Sequence, residues 1–242
     1  MSHDRPVARP TPAELAVAEL TLGSWTEVEH RLRPRLVPVE RAGPIAIRPP
    51  TPPGFGQAPL AIDVGIDVPG GIVRIDEALW TAWEVTDHQI WSAARSRLAQ
   101  HPDPTVRVVR SGPVELVVLL GDHWLTGLVL RPDRLVPTGL WPTRRQPAWH
   151  RQPTGPPVGS IIVAAASDRV LVVGPAEGPN DGQEPAAPTR PNSVDRATID
   201  RVMALAEDLA RLDNPLGAGV NLPLAPLLLP TDGSFPDRWI LE

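Results

Sequence analysis

The chain has 242 residues and contains no cysteine, no lysine and no tyrosine; all 23 basic residues are arginine. These absences remove thiol nucleophiles, Cys-ligated zinc, Schiff-base lysines, the lysine of the phosphate-binding loop and tyrosine acids. GC-rich codon usage accounts for the loss of Lys and Tyr, whose codons are AT-rich. The missing cysteine fits a reducing compartment or chance. For polar chemistry there remain 6 His, 9 Ser, the carboxylates and the arginines. Aromatics are scarce too: 2 Phe and 8 Trp make up the whole set.

What is abundant is apolar surface and proline. Hydrophobic residues are 42% of the chain, enough for a real core. The 32 prolines far exceed the usual ~5% share. They cluster, which predicts Pro-rich loops at 48–59 and 174–192 between ordered blocks. A net charge of −5 argues against a dedicated nucleic-acid binder. Ala13–Leu22 is broken by Glu14 and Glu19 and is not read as a secretory signal. The longest uncharged stretch, Asn214 to Thr231, has 18 residues but contains Pro215, Pro223, Pro226 and Pro230, so no membrane span is expected. The default expectation is a soluble cytoplasmic protein.

Residues 1–10 read as a disordered tail, and residues 11–242 as a single α+β domain. After a short helix over 12–20, Ser24 and Glu27 form a capping box that opens a helix from Trp25 to about Arg33, where Pro34 stops it. Leu36–Glu40 and Ile45–Arg48 look extended. Leu60, Ile62, Val64, Ile66 and Val68 alternate with Ala61, Asp63, Gly65 and Asp67, which predicts a strand with one buried face. Ile72–Ile75 returns as its partner after Pro69-Gly70-Gly71. Asp76 caps a short helix bearing Leu79, Trp80 and Trp83. Thr86 and Gln89 form a second capping box, opening a helix to about Gln100. Strands are predicted at Thr105–Val109, Val114–Leu120, Trp124–Leu130, Ser160–Ala165 and Val170–Val173, with Gly121-Asp122-His123 as a hairpin turn. A long helix runs from Val194 to Leu212, and the tail packs down through Leu222–Leu229. Grouped strands with hairpin connections predict an α+β fold: a mostly antiparallel sheet, a helix pair in the middle and a long C-terminal helix packed on it.

Trp83, Val85, Thr86, Gln89, Ile90 and Ala94 fit the spacing W-x-[VI]-[TS]-x-x-[EQ]-[LI]-x-x-x-A, with Leu79 four residues before Trp83 where the pattern L-x-x-W sets its Leu at three. With the strand Asp168–Val173, the long helix and Asn214-Pro215-Leu216, this resembles an uncharacterised bacterial family of unknown function, YtpQ-like. The resemblance covers residues 60–235, mostly through hydrophobic spacing. It implies a shared fold and brings no activity with it.

Candidate chemistry is thin. Asp63 and Asp67 share a strand face but stand roughly 13 Å apart, too far for a carboxylate pair or a shared metal, and read as a solvated face. His3, His30, His88, His101, His123 and His150 show no metal-binding spacing, so neither a metal site nor a cofactor is expected. Asp122 could orient the ring of His123 as a base, though adjacent turn residues usually meet water. Ser160 and Ser167 lack a nucleophile-elbow context and read as turn residues. Gly54-Phe55-Gly56 and Gly217-Ala218-Gly219 lack the second half of a dinucleotide loop.

The segment Trp141 to Arg151 stands out from the core pattern. Trp141, Arg144, Arg145, Trp149 and Arg151 concentrate residue types enriched at interface hot spots; the plainer alternative is that both Trp fold back on the sheet. The sequence therefore leads to an expectation of a non-enzymatic protein acting through contact with an unknown protein partner. The alternative is a hydrolase-like enzyme with a site assembled from distant Asp, His and Arg. An enzyme would converge a His or two carboxylates in a concave site. A binding module would expose a flat apolar patch rimmed by Arg.

Overall fold

The computed structural model describes residues 24–68, 71–136, 160–176, 194–213 and 222–230. The chain is α+β, as the grouping of strands and helices predicts. Strands β1 (Leu32–Pro38), β2 (Leu60–Val68) and β3 (Gly71–Arg74) form a three-stranded sheet in the order β1-β2-β3. Strands β4 (Thr105–Ser111), β5 (Val114–Leu120), β6 (Ser160–Ser167), β7 (Val170–Pro175) and β8 (Leu227–Pro230) form a second, in the order β4-β5-β7-β6-β8. Every pairing among these strands is antiparallel.

The first helix, α1 (Trp25–Val28), carries the expected capping box, with Ser24 N–H donating to Glu27 Oε2 at 2.7 Å. It ends sooner than expected. A 3₁₀ turn over Glu29–Arg31 leads directly into β1, and Pro34 lies within that strand rather than ending a helix. β1 is an edge strand, and Leu36, two residues on, points its N–H away from β2 to Thr126 Oγ1 at 3.1 Å. Pro34 shares that outward direction, so its missing N–H costs no ladder bond.

The helix pair follows the sequence closely. Asp76 accepts the Leu79 N–H at 2.9 Å and opens α2 (Glu77–Trp83). Thr86 and Gln89 cap α3 (Asp87–Leu98) reciprocally. The α3 face of Ile90, Trp91, Ala94 and Leu98 is buried, as is Trp83 on α2. Trp80 is half-buried and its indole N–H donates to Val85 O at 2.7 Å. Helix α5 (Arg196–Asp213) is the long C-terminal helix; Asp195 caps it by accepting from the N–H groups of Ala197 and Thr198.

Two hydrophobic clusters hold these layers. The larger joins one face of the three-stranded sheet (Leu32, Leu36, Ile62, Val64, Ile66) to α3 and to the inner face of the second sheet (Val117, Leu119, Val163, Leu171, Leu229). The smaller lies on the other face of the second sheet, where Leu116, Ile162, Val172 and Ala164 pack against Ile199, Val202 and Ala206 of α5. Gly174 allows the close approach there: a Cβ would meet Val202 Cγ2 at 2.7 Å and Leu116 Cδ2 at 3.0 Å. It belongs to β7, which runs on to Pro175, so the expected loop from 174 loses its first residues to a strand.

Two expectations are corrected. Trp124–Leu130 is not a strand; Leu125–Leu130 is a 3₁₀ segment, followed by α4 (Pro132–Leu135). Asp122 bends the chain instead of closing a hairpin: its carboxylate accepts the Trp124 N–H at 2.9 Å and its carbonyl the Leu125 N–H at 3.0 Å. Gly127 then lies against the backbone of Pro34, leaving no room for a side chain, and the segment caps the outer edge of β1. β5 pairs with β7 in the place of the expected partner.

The second correction is Asp63. β2 is buried on both faces, and Asp63 is 0% exposed rather than solvated. Side chains of the flanking strands, together with Trp124, cover the polar face. Over Gly65, a Cβ would meet Ile72 Cγ2 at 2.7 Å, Arg35 Nε at 3.1 Å and Trp124 Cη2 at 3.4 Å.

Candidate interaction surface

Four strands end the two sheets, and the fold treats them differently. The outer edge of β1 is taken by the 3₁₀ segment through Thr126. At β8 the Leu228 N–H donates to Pro50 O at 3.0 Å, so the Pro-rich stretch 48–59 covers that edge. β3 is four residues long. β4 is seven residues long, pairs with β5 on one side, and receives no backbone hydrogen bond from the described residues on the other.

β4 is also bare on its faces. The register sets Val106 opposite Leu119 and Val108 opposite Val117, so both valines point to the core side of the sheet. Their partners are buried, yet Val106 is 45% and Val108 49% exposed, because the core layer stops at β5. On the α5 side, Arg107 is exposed and Val109 half-buried. The large apolar side chains exposed among the described residues are Val106, Val108 and Leu212. Two of the three thus sit on one face of one open edge.

Arginine surrounds them. Arg107 and Arg110 flank the valines and lie on opposite faces, and no carboxylate occurs between Thr105 and Ser111. Arg201 reaches from α5 to the β4–β5 turn, its Nε 3.6 Å from where a Cβ of Gly112 would stand. Glu115 lies across from Arg110 on β5. Gly112 adopts φ +63, a left-handed conformation that favours glycine and closes the turn.

A second concentration of charge lies on the polar face of the three-stranded sheet. Arg35 is directly opposite Asp63, and both Arg33 and Arg74 are opposite Gly65. Burial pushes the Asp63 carboxyl up from its ordinary value; the N–H of Val64, the charge of Arg35, the N–H of Gly43 and the charge of Arg74 pull it down. Burial likewise lowers the Arg35 guanidinium, against the charges of Asp63 and Asp168. The Gly43 N–H donates to Asp63 Oδ2 at 3.2 Å, fastening the chain after β1 onto β2. Among the described residues Oδ1 has no hydrogen-bond partner, and neither do Arg35 Nε and Trp124 Nε1. This is a closed, packed layer, and its chemistry is that of an anchor.

Among the described residues the histidines do not assemble a site. Asp122 does not orient His123, whose ring instead packs against Trp124 in a tilted arrangement, with centroids 5.0 Å apart. Asp122 Oδ1 lies 3.3 Å from Nε2 of His101, a contact the sequence reading did not foresee. The His101 ring is 5% exposed and its Nδ1 is 2.8 Å from Pro102 O, so the pair joins two loops. Ser160 and Ser167 begin and end β6. No group of three His, Cys, Asp or Glu that could hold a metal occurs among the described residues. No helix among them is long and apolar enough to cross a membrane.

Trp141, Arg144, Arg145, Trp149 and Arg151 all lie outside the described residues. So do His3, His150, Gly217-Ala218-Gly219 and residues 177–193. The β4 edge was within reach of the sequence as a strand at Thr105–Val109; what the sequence withheld was its place at the end of the sheet. One signal was present: Arg107 and Arg110 alternate with valines where a central strand would be apolar throughout. No family model, no curated protein and no solved structure matches the chain.

Proposed function

We propose that this is a non-enzymatic cytoplasmic protein that acts by contact with a protein partner, and that the contact uses the outer edge of β4. The observation that carries the reading is the contrast among edges: β1 and β8 are closed by hydrogen bonds that their own N–H groups donate to Thr126 Oγ1 and Pro50 O, while β4 offers seven residues with Val106 and Val108 exposed. A long edge left open is an aggregation hazard unless charge guards it or a partner occupies it. Arg107 and Arg110 supply the guard, and the paired valines supply an apolar contact that solubility alone does not call for. A flat apolar strip rimmed by arginine is what a binding module requires.

The segment Trp141–Arg151 is a second part of the same reading, supported by its composition. Kinship with the YtpQ-like family is likewise a proposal, supported by the spacing from Trp83 to Ala94. It predicts that a member's structure would superpose on α2, α3 and the second sheet.

The test compares partner capture from the native host by the wild type and by Val106→Glu with Val108→Glu. Both positions face water, so melting should be unchanged. The reading expects a captured protein that the variant loses. An identical captured set from a folded variant contradicts it.

A further inference from the structure

We infer that the β4 edge accepts an extended acidic segment of a partner protein as an added strand. The inference rests on the contact reading above and specifies the chemistry of the partner. Strand addition provides main-chain hydrogen bonds from the open edge, and alternate side chains of the incoming strand provide selectivity.

The side chains along β4 set the pattern. Val106, Val108 and Arg110 share the core-side face; Arg107 and Val109 share the α5 face. An incoming antiparallel strand meets Arg110, Val109, Val108, Arg107 and Val106 in that order. It therefore carries an acidic residue, any residue, an apolar residue, an acidic residue and an apolar residue. A carboxylate opposite each arginine and an apolar side chain opposite each exposed valine are the favourable cross-strand pairs. Arg201 beside the β4–β5 turn adds positive charge at the Arg110 end of the strip.

Charge also decides between occupants. A second copy of this chain pairing β4 with β4 would bring four arginines into one ribbon with no carboxylate on either strand. Like charge at that density disfavours self-pairing. Nucleic acid would meet a chain of net charge −5 and an edge without aromatic side chains, lacking the stacking platform that single strands use. An acidic polypeptide strand meets neither obstacle.

The experiment uses the full chain and two fluorescein-labelled peptides. One is Thr-Glu-Thr-Ile-Asp-Ile-Thr, which follows the pattern; the other replaces both acids with lysine. The wild type is expected to bind the acidic peptide at least tenfold more tightly than the basic one, and the affinity should fall with added salt. Arg107→Glu with Arg110→Gln should abolish the preference while melting as the wild type does; Gln at position 110 sets no second carboxylate opposite Glu115. N-methylation of alternate peptide residues should abolish binding, which ties it to main-chain pairing. Equal binding of both peptides, or no binding of the acidic peptide up to about 1 mM, overturns the inference. So does a preference that survives the double substitution, or sedimentation showing a dimer that Val108→Glu dissolves. The contact reading is separable: if the Val106→Glu, Val108→Glu variant loses a host partner while the peptides show no charge preference, the edge contact stands and the acidic assignment falls. If no partner is lost and neither peptide binds, both fall.

Discussion

β2 and β4 carry nearly the same kind of sequence and end in opposite surroundings. One alternates Ile62, Val64 and Ile66 with Asp63, Gly65 and Asp67; the other sets Val106, Val108 and Arg110 against Arg107 and Val109. In β2 both faces are buried, Asp63 included, because Arg35 and Trp124 lie over its polar side. In β4 most side chains meet water, because the core layer stops at its neighbour and on the α5 side only Val109 reaches the apolar cluster. Alternation fixes which residues share a face. It does not fix how many layers the sheet is given, and that is decided by segments far away in the chain.

The sharpest way to break the comparison is a matched pair of truncations. Ile66→Ala on β2 removes a side chain that is 0% exposed and should cost about 2–5 kcal/mol. Val108→Ala on β4 should cost less than ~0.5 kcal/mol. Chemical denaturation measures both, and similar losses would mean that β4 is covered in solution.

Gly65→Ala comes next. Its Cβ would stand 2.7 Å from Ile72 Cγ2 and 3.1 Å from Arg35 Nε, so the covering layer must shift. Overpacking of this kind costs about 1–3 kcal/mol. A neutral substitution would show that the layer over β2 is loose.

Asp63 gives a smaller effect with a defined sign. Its folded-state carboxyl titrates above the ordinary value near 3.8, with burial the main cause. The folded state therefore holds the proton more tightly than the unfolded state. The resulting stability is fully present below the unfolded value and is lost as pH rises through the folded one. In Asp63→Asn that dependence is gone. The stability difference should thus move in favour of the Asn variant as pH rises from below 3.8 and then level off. A difference that moves the other way over that window would mean that Arg35 and the N–H groups outweigh burial.

The least perturbing change is Arg107→Glu with Arg110→Gln, expected to alter stability by less than ~0.5 kcal/mol per site. A larger loss would assign these arginines a structural role.

The sequence disclosed what local chemistry determines. The caps at Asp76, Thr86 and Ser24 are visible as side chains placed to bind the first N–H groups of a helix, and each opens one. The stripe on α5 and the alternation in β2 are equally local. The failures came where distant segments decide. Pro34 looks like a helix stop because its tolerance in an edge strand depends on which way its nitrogen points. Trp124–Leu130 is apolar enough for a strand, but Asp122 turns it and Gly127 lets it dock on β1. Asp63 looks solvated because nothing near it in sequence announces Trp124. The β4 surface was missed for the same reason: a strand carries no mark of being last in its sheet.

Amide hydrogen exchange along β4 and β2 tests the central claim most directly. In the free protein, alternate β4 amides, those directed away from β5, should exchange rapidly, while β2 amides stay protected to the level of global unfolding. Adding the acidic peptide should slow that alternate set and leave β2 unchanged. Full protection of β4 in the free protein, or alternate β4 amides that ignore the peptide at saturating binding, would contradict the account.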